Sequence, residues 1–241
     1  SRDCCRLCGS PVLKGTIMIQ ILSKYGQMLL FAMGQTLLLA LWGLFFACIL
    51  GMIFGLLSVV RNKVCNVIAS IFVDVIRGVP MIVLAYFIFF GLPYAFKNFL
   101  GSKMTLTALQ AGTAALALNC GAYMAEIIRA GIQSVDIGQM EAGRSLGLPY
   151  WKTMRKIILP QAIRTMIPSI INQFIITVKD TSILSVIGFP ELVLAAKNVQ
   201  AGTFKSFETW TIVGIMYLIV ITILSYLAKM VERRVNRGVK R

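Results

Sequence analysis

The chain has 241 residues, of which 58% are hydrophobic and 14% charged, with a formal net charge of +15 and no histidine. Soluble domains carry about 25% charged residues, so this composition excludes one and leaves room for roughly five or six membrane spans of about 20 residues each. The basic excess lacks the interleaved aromatic and basic residues of a nucleic-acid surface and reads instead as charged loops beside a lipid bilayer.

Residues 1–24 precede the first long apolar run and are expected as an amino-terminal tail outside the membrane. Cys4, Cys5 and Cys8 crowd that tail, but three sulfurs without a histidine fall short of a four-ligand zinc site. No uninterrupted apolar core followed by a small-residue cleavage site marks a cleavable signal there. Cys48, Cys65 and Cys120 stand singly in or beside apolar segments and read as packing residues. Five apolar segments follow, within 28–60, 64–92, 106–128, 157–178 and 209–228. The expected fold is an all-α membrane domain of about five transmembrane helices over 25–234, followed by a basic tail at 235–241.

The second segment carries Asp74, Arg77 and Pro80. The third is rich in small residues, among them Ala108, Ala111, Gly112, Ala115, Ala122 and Ala125, and is expected as a central packing helix. Pro80, Pro160 and Pro168 should bend or break the second and fourth segments, which protein or a water-filled cavity must then cover. Basic residues orient the chain. Arg61 and Lys63 follow the first span. Arg129, Arg144, Lys152, Arg155 and Lys156 follow the third, and Lys229, Arg233, Arg234, Arg237, Lys240 and Arg241 follow the fifth. The opposite loops hold only Lys97, Lys103, Lys197 and Lys205. The first group is expected to be cytoplasmic, with the amino terminus outside and the carboxyl terminus inside. Arg2, Arg6, Lys14 and Lys24 weaken this asymmetry without reversing it.

Between the third and fourth spans, "VDIGQMEAGRSLGLP" reads as a short helix with marked ends. Asp136 caps its first turn and Gln139 is placed to reach back to it. Gly147 suits a left-handed stop, and Pro149 blocks continuation. Ala142, Gly143 and Ser145 are small, and Glu141 and Arg144 can pair across one turn. Such a helix fits a groove on another protein, or it is an ordinary capped loop. "YWKTMRKII" then sets Tyr150, Trp151, Met154, Ile157 and Ile158 against Lys152, Arg155 and Lys156, as in an interfacial helix entering the bilayer.

Glu141-Ala142-Gly143, then Gly147, then Ile157 and Leu159-Pro160, resembles the E-A-A loop of membrane subunits of ATP-binding-cassette (ABC) importers, with Gly143 standing where that family has alanine. "VIRGVPMIVLAYF", "NCGAYMAEIIRAGIQSVDIGQMEAGRSLGL" and "LPQAIRTMIPSIINQFIITVKDTSILSVIG" resemble blocks of the branch that imports polar amino acids, such as glutamine, glutamate, arginine or histidine. The resemblance runs from about residue 25 to 234. It implies a type I importer fold and a coupling helix, carried here by Asp136, Gln139, Glu141, Ala142, Gly143, Arg144 and Gly147, that seats in an ATPase subunit. It also implies an extracytoplasmic amino-acid-binding protein, a second permease subunit (the same chain or a similar one) and a bacterial cytoplasmic membrane. No G-x-x-x-x-G-K-[ST] loop occurs, so no cofactor is expected in this chain, ATP and magnesium being bound by the partner ATPase.

Ionisable groups inside spans are functional candidates. Lys179 lies about 22 Å along a helix from Arg164, and Asn119 about 15 Å from Arg129. Asn119, Lys179, Asp180 and Thr181 are therefore expected at one depth, where an ammonium and a carboxylate match the two charges of an amino acid. Equally, Lys179 and Asp180 can simply neutralise each other. Glu126 with Arg129, and Asp74 with Arg77, read first as structural pairs, Glu126 also as a candidate lining residue. The leading function is a permease subunit of an ATP-driven amino-acid importer. The alternative is a self-contained ion-coupled transporter or channel, though no inverted repeat supports it. A membrane-bound enzyme ranks below both.

Overall fold

The computed structural model describes residues 11–60, 62–101 and 104–236. Cys4, Cys5 and Cys8 lie outside the described residues, as do Arg2, Arg6, Arg61, Lys103, Arg237, Lys240 and Arg241. Among the described residues every regular element is helical, and five stretches are long and apolar enough to cross a membrane: Ile17–Leu57, Met81–Phe99, Ala108–Gln133, Tyr150–Ile187 and Ser206–Arg234.

Helix α1 (Pro11–Leu57) has 47 residues. At 1.5 Å per residue it is about 70 Å long, more than twice the roughly 30 Å apolar core of a bilayer. The expected tail boundary near residue 25 falls inside it. Ile21, Leu29, Ala32 and Met33 on its first half pack with Leu192, Val199, Ile212 and Val213.

The expected second span, 64–92, is broken. Helix α2 (Lys63–Gly78) starts at Asn62, whose side chain accepts from the Val64 N–H at 2.9 Å, and it stops before Val79. Pro80 disfavours helical geometry in the residue ahead of it and has no N–H to donate. Val79 is accordingly extended, with φ −101° and ψ 129°. The membrane-length helix begins only after the break, as α3 (Met81–Tyr86), a π-helical turn (Phe87–Gly91) and α4 (Leu92–Leu100). Helix α2 leaves Val64, Val67, Ile68, Ile71 and Val75 exposed on one face, as a helix lying in lipid would.

Helix α5 (Ala108–Gln133) opens with a capping box: the Thr107 hydroxyl accepts from the Gln110 N–H at 3.2 Å and the Gln110 side chain accepts from the Thr107 N–H at 3.0 Å. It is the central helix that its small residues foretold, with Ala111, Ala115, Ala122 and Ala125 all buried. Its main neighbour is α1, which brings glycines to the contact. A Cβ added at Gly43 would lie 2.8 Å from the Leu116 Cβ, and one at Gly55 would lie 2.8 Å from the Ile128 Cβ and 3.1 Å from the Ala125 carbonyl. At Gly51 it would run into Met124. Lipid tails are as apolar as leucine, so helices here associate through close packing rather than through expulsion of water.

The chain continues through α6 (Ile137–Ser145), α7 (Tyr150–Thr153), a second π-helical turn (Met154–Ile158) and α8 (Leu159–Asp180). A 3-10 segment (Thr181–Ile187) then ends at Gly188 with φ +78°. Helices α9 (Leu192–Thr203) and α10 (Ser206–Asn236) follow. Helix α9 was not foreseen from the hydropathy pattern. It is fixed by Glu191, which is fully buried and caps it: its two carboxylate oxygens accept from the Val193 and Leu194 N–H groups at 2.8 and 2.7 Å. The Tyr217 hydroxyl donates to the same carboxylate at 3.3 Å. The Leu192 N–H donates to the Thr36 hydroxyl of α1 at 3.1 Å.

Burial raises the Glu191 carboxyl above the usual carboxylate range, while the two amide donors, Tyr217 and the charge of Lys197 offset part of the rise. A raised native value favours the protonated acid. The stabilising contribution is therefore fullest below the ordinary carboxylate pKa and is lost as pH rises through the raised one. Glu191→Gln should flatten this part of the pH dependence of thermal stability, which sets in above the ordinary carboxylate range. An unchanged profile in purified variant protein would assign the dependence to other groups. For the α1–α5 contact, Gly55→Val should cost about 1–3 kcal/mol. Gly34→Ala, whose Cβ would meet nothing within 4 Å, should be neutral or stabilising by up to roughly 1 kcal/mol. Melting of the two variants in detergent checks this, and equal midpoints would remove the close-approach role of Gly55.

Candidate functional site

Two regions carry the residues singled out from the sequence, and α8 connects them. The first is α6 with the turn after it. Asp136 caps α6, its Oδ1 accepting from the Gly138 N–H at 2.6 Å. Gln139 enters only through its backbone N–H, which donates to the Asp136 carbonyl at 3.1 Å, so the expected reciprocal capping box is not formed. A two-residue reach to Gly138 satisfies the carboxylate first. Gly147 takes φ +81°, as its place past the helix end required. The stop is a complete Schellman arrangement: the Leu148 N–H donates to the Gly143 carbonyl at 3.2 Å and the Gly147 N–H to the Arg144 carbonyl at 3.0 Å.

Only Gly143 of α6 is buried. Glu141, Ala142 and Arg144 are exposed, and no ion pair joins Glu141 to Arg144 among the described residues. An exposed pair of this kind gains little from forming. Ile137 and Leu146, near the two ends of α6, are 75% and 82% exposed, and Trp151 beyond the turn is 72% exposed. The element thus presents two large apolar side chains with charged ones between them, on a helix that touches its own protein along one edge. Ile137 and Leu146 were not singled out as docking residues from the sequence, because isolated apolar residues in a polar loop carry no periodic signal.

The second region is a cavity of about 490 Å³ behind the break between α2 and α3, lined by Arg77, Asn119, Tyr123, Gln173 and Asp180 together with Val79, Pro80 and Met81. Asn119 is buried in α5 and its amide lies 3.7 Å from the Met81 sulfur. Asp180 ends α8 and forms no ion pair among the described residues. Lys179, beside it, is exposed and does not line the cavity, because successive residues on a helix point about 100° apart. Thr181 is fully buried with its hydroxyl donating to the Val178 carbonyl at 2.8 Å, and it does not line the cavity either.

The cationic wall comes instead from Arg77, on the last turn of α2. The expected Asp74–Arg77 pair does not form. Arg77 reaches across to α5, its guanidinium 5.1 Å from the Tyr123 ring centre and 3.9 Å from Glu126. Glu126 is occupied by Arg129, which donates through Nε at 3.1 Å and Nη2 at 2.7 Å, as the structural pair foresaw. Glu126 lines two smaller spaces beyond Arg77, of about 140 and 310 Å³, rather than the main cavity. Gln173 and Tyr123 line the cavity without having been singled out from the sequence, and Arg77, read there as a partner of Asp74, lines it as well. The helix break that Pro80 announces was the available signal for Arg77. A larger groove of about 590 Å³ between α1 and α5 is lined mainly by apolar residues such as Trp42, Phe46, Ile49 and Leu109, with Gln110 and Thr113 but no charged residue.

The cavity therefore sets one loosely held guanidinium and one carboxylate without an ion pair among the described residues into the same space, with the neutral amides of Asn119 on α5 and Gln173 on α8. In a low-dielectric site such groups favour a ligand carrying both charges.

Comparison with known proteins agrees with this geometry. Residues 47–237 match the family described as the inner membrane component of binding-protein-dependent transport systems. The chain is 38% identical over 202 residues to the glutamine transport system permease protein GlnP of Escherichia coli (strain K12), covering 84% of this chain and 90% of that one. It is 34% identical over 221 residues to a probable amino-acid ABC transporter permease protein, PatM, of Vibrio harveyi, covering 92% and 94%. Among solved structures, an amino acid ABC transporter crystallised with histidines superposes with a TM-score of 0.81 at 38% identity, over 88% of this chain and 96% of that one. The inward-facing MetNI methionine ABC transporter shares the fold, with a TM-score of 0.70 at 20% identity. This chain, a helical membrane domain with a Schellman-capped, solvent-facing α6 and a polar cavity at a helix break, belongs to the binding-protein-dependent transport family, as the multi-pass permease subunit of an ABC importer.

Proposed function

We propose that this permease passes a polar amino acid through the cavity between Arg77 and Asp180, toward the side on which α6 seats in an ATPase subunit. The separation of one cation from one carboxylate in a single cavity carries this reading. Arg77 takes the α-carboxylate, Asp180 takes the α-ammonium, and Asn119 and Gln173 meet the polar side chain. The relatives named for glutamine and for amino acids support this substrate class. Lys179 and Thr181 support the end of α8 without touching the ligand. Glu126, held by Arg129, lines the route beyond the cavity.

Coupling rests on Asp136, Glu141, Ala142, Arg144 and Gly147 with the apolar pair Ile137 and Leu146, Gln139 lying exposed on the same helix. ATP and magnesium are held by the partner subunit, and an extracytoplasmic binding protein delivers the amino acid. Five spans form half of a pathway, so a second permease subunit completes it. The α6 side is cytoplasmic, since Lys152, Arg155, Lys156, Arg233 and Arg234 gather there, and the amino terminus lies outside.

Uptake of labelled amino acids by proteoliposomes holding the chain, its ATPase and its binding protein tests the whole reading. Uptake that persists without the ATPase would overturn it. Arg77→Met and Asp180→Asn should each lower uptake by about tenfold or more, the loss expected when one charge of a desolvated pair is removed. Lys179→Met should stay near wild type, and equal losses at 179 and 180 would overturn the assignment of the cavity wall. Gly147→Val forces a β-branched residue to positive φ at a cost of about 1–3 kcal/mol and should weaken capture of the ATPase by the folded permease. Normal capture with normal uptake would reject the docking role of the turn.

A further inference from the structure

Gly143 departs from the alanine of the E-A-A pattern, and the structure gives a reason. A Cβ added there would lie 2.5 Å from the Thr153 Cγ2, 3.1 Å from the Thr153 Oγ1 and 3.1 Å from the Ile157 Cδ1. Thr153 has no room to yield: it is fully buried, and its hydroxyl is turned to the Pro149 carbonyl at 3.4 Å. Heavy atoms at 2.5 Å do not coexist, so an alanine at 143 must shift either α6 or α7.

The contact sits where motion of α6 enters the rest of the protein. Gly143 is the only buried residue of α6, and Met140 adds a half-buried contact to the cluster of Ile132, Ile158, Ala162 and Met166. On the other side, Thr153 ends α7, and the π-helical turn Met154–Ile158 begins at the next residue. The hydrogen bonds of that turn span one residue more than those of an α-helix, the Leu159 N–H donating to the Met154 carbonyl. Such insertions mark places where a helix adjusts. It runs directly into α8, whose far end bears Gln173 and Asp180 of the cavity.

We propose that Gly143 and Thr153 form a size-matched joint between the coupling helix and α8, the absence of a methyl at 143 leaving the room that the Thr153 methyl fills. Gly143 is here a positioning residue, acting through Thr153 on α8. The pair sets how far α6 stands from the π-helical turn, and hence how fully its displacement by the ATPase reaches the cavity. This rests on the reading of α6 as the ATPase-docking helix.

The test moves one methyl across the joint. Gly143→Ala, Thr153→Ser and the double variant G143A/T153S are reconstituted with the ATPase and binding protein, and amino-acid uptake per ATP hydrolysed is measured together with ATPase capture. G143A should lower uptake per ATP by about fivefold or more through overpacking. T153S, which leaves a gap of one methyl, should lower it by a smaller factor of about two. The double variant should return to within about twofold of wild type, because total volume is conserved. Wild-type uptake per ATP in G143A would overturn the joint, and so would a double variant no better than G143A. If G143A does not fold well enough to assay, recovery of folded, coupled protein in the double variant supports the joint and non-recovery overturns it. Failure of the wild-type chain to capture the ATPase would instead overturn the docking reading, a result distinct from any outcome among the variants.

Discussion

The close approach of α1 and α5 is the constraint on which the other elements depend. Two helices in lipid gain nothing from hiding apolar surface that lipid already covers, and their association must come from many short contacts between backbones. Gly43, Gly51 and Gly55 supply these from α1, and the alanines and Gly121 supply them from α5. Once α5 is held in this way, its opposite face becomes a wall. Asn119, Tyr123 and Glu126 fall on that wall at successive turns, and Arg77 and Asp180 reach it from two other helices. The central helix is thus both the main packing element and one side of the cavity.

Breaks in helices do the remaining work. An unbroken second span would have carried Arg77 into lipid, where a guanidinium is costly. The stop at Gly78 and the extended Val79 end α2 beside the cavity instead, so that the cation faces Tyr123 and a polar space. On the other side, the 3-10 segment follows directly on Asp180, while the π-helical turn lies at the opposite end of α8 from the cavity. Irregular backbone at membrane depth is tolerated where it lines such a space, since water or ligand can satisfy the freed groups.

Much of this was legible in the sequence. Span number, the small-residue character of α5, the left-handed Gly147 and the Glu126–Arg129 pair all follow from local spacing and residue chemistry. The capped helix between the third and fourth spans was legible because its turn residues have fixed conformational requirements. What failed depended on direction rather than depth. Lys179 and Asp180 share a level, yet adjacent helical positions face different ways, and only Asp180 lines the cavity. Arg77 was assigned to Asp74, three residues back, whereas the helix end turns it toward α5. The second span was drawn through Pro80 because apolar content continues across it, and hydropathy does not see the missing N–H. Helix α9 escaped notice because two of the groups that fix its start, Thr36 at the Leu192 N–H and Tyr217 at Glu191, lie far away in the chain.

That distance has a consequence for the order of events during synthesis. Thr36 and Leu192 are 156 residues apart, and Tyr217 comes later still. At about 5–20 residues per second, α1 resides in the membrane for roughly 10–30 s before its hydrogen-bonding neighbour exists. Thr36 tolerates the wait because its hydroxyl donates to the Ala32 carbonyl of its own helix at 3.0 Å, leaving only lone pairs unused. The Leu192 N–H then finds an acceptor already aimed and dry. A threonine that keeps its proton at home lets the first helix insert as a self-sufficient unit and still anchor the start of α9 when it arrives.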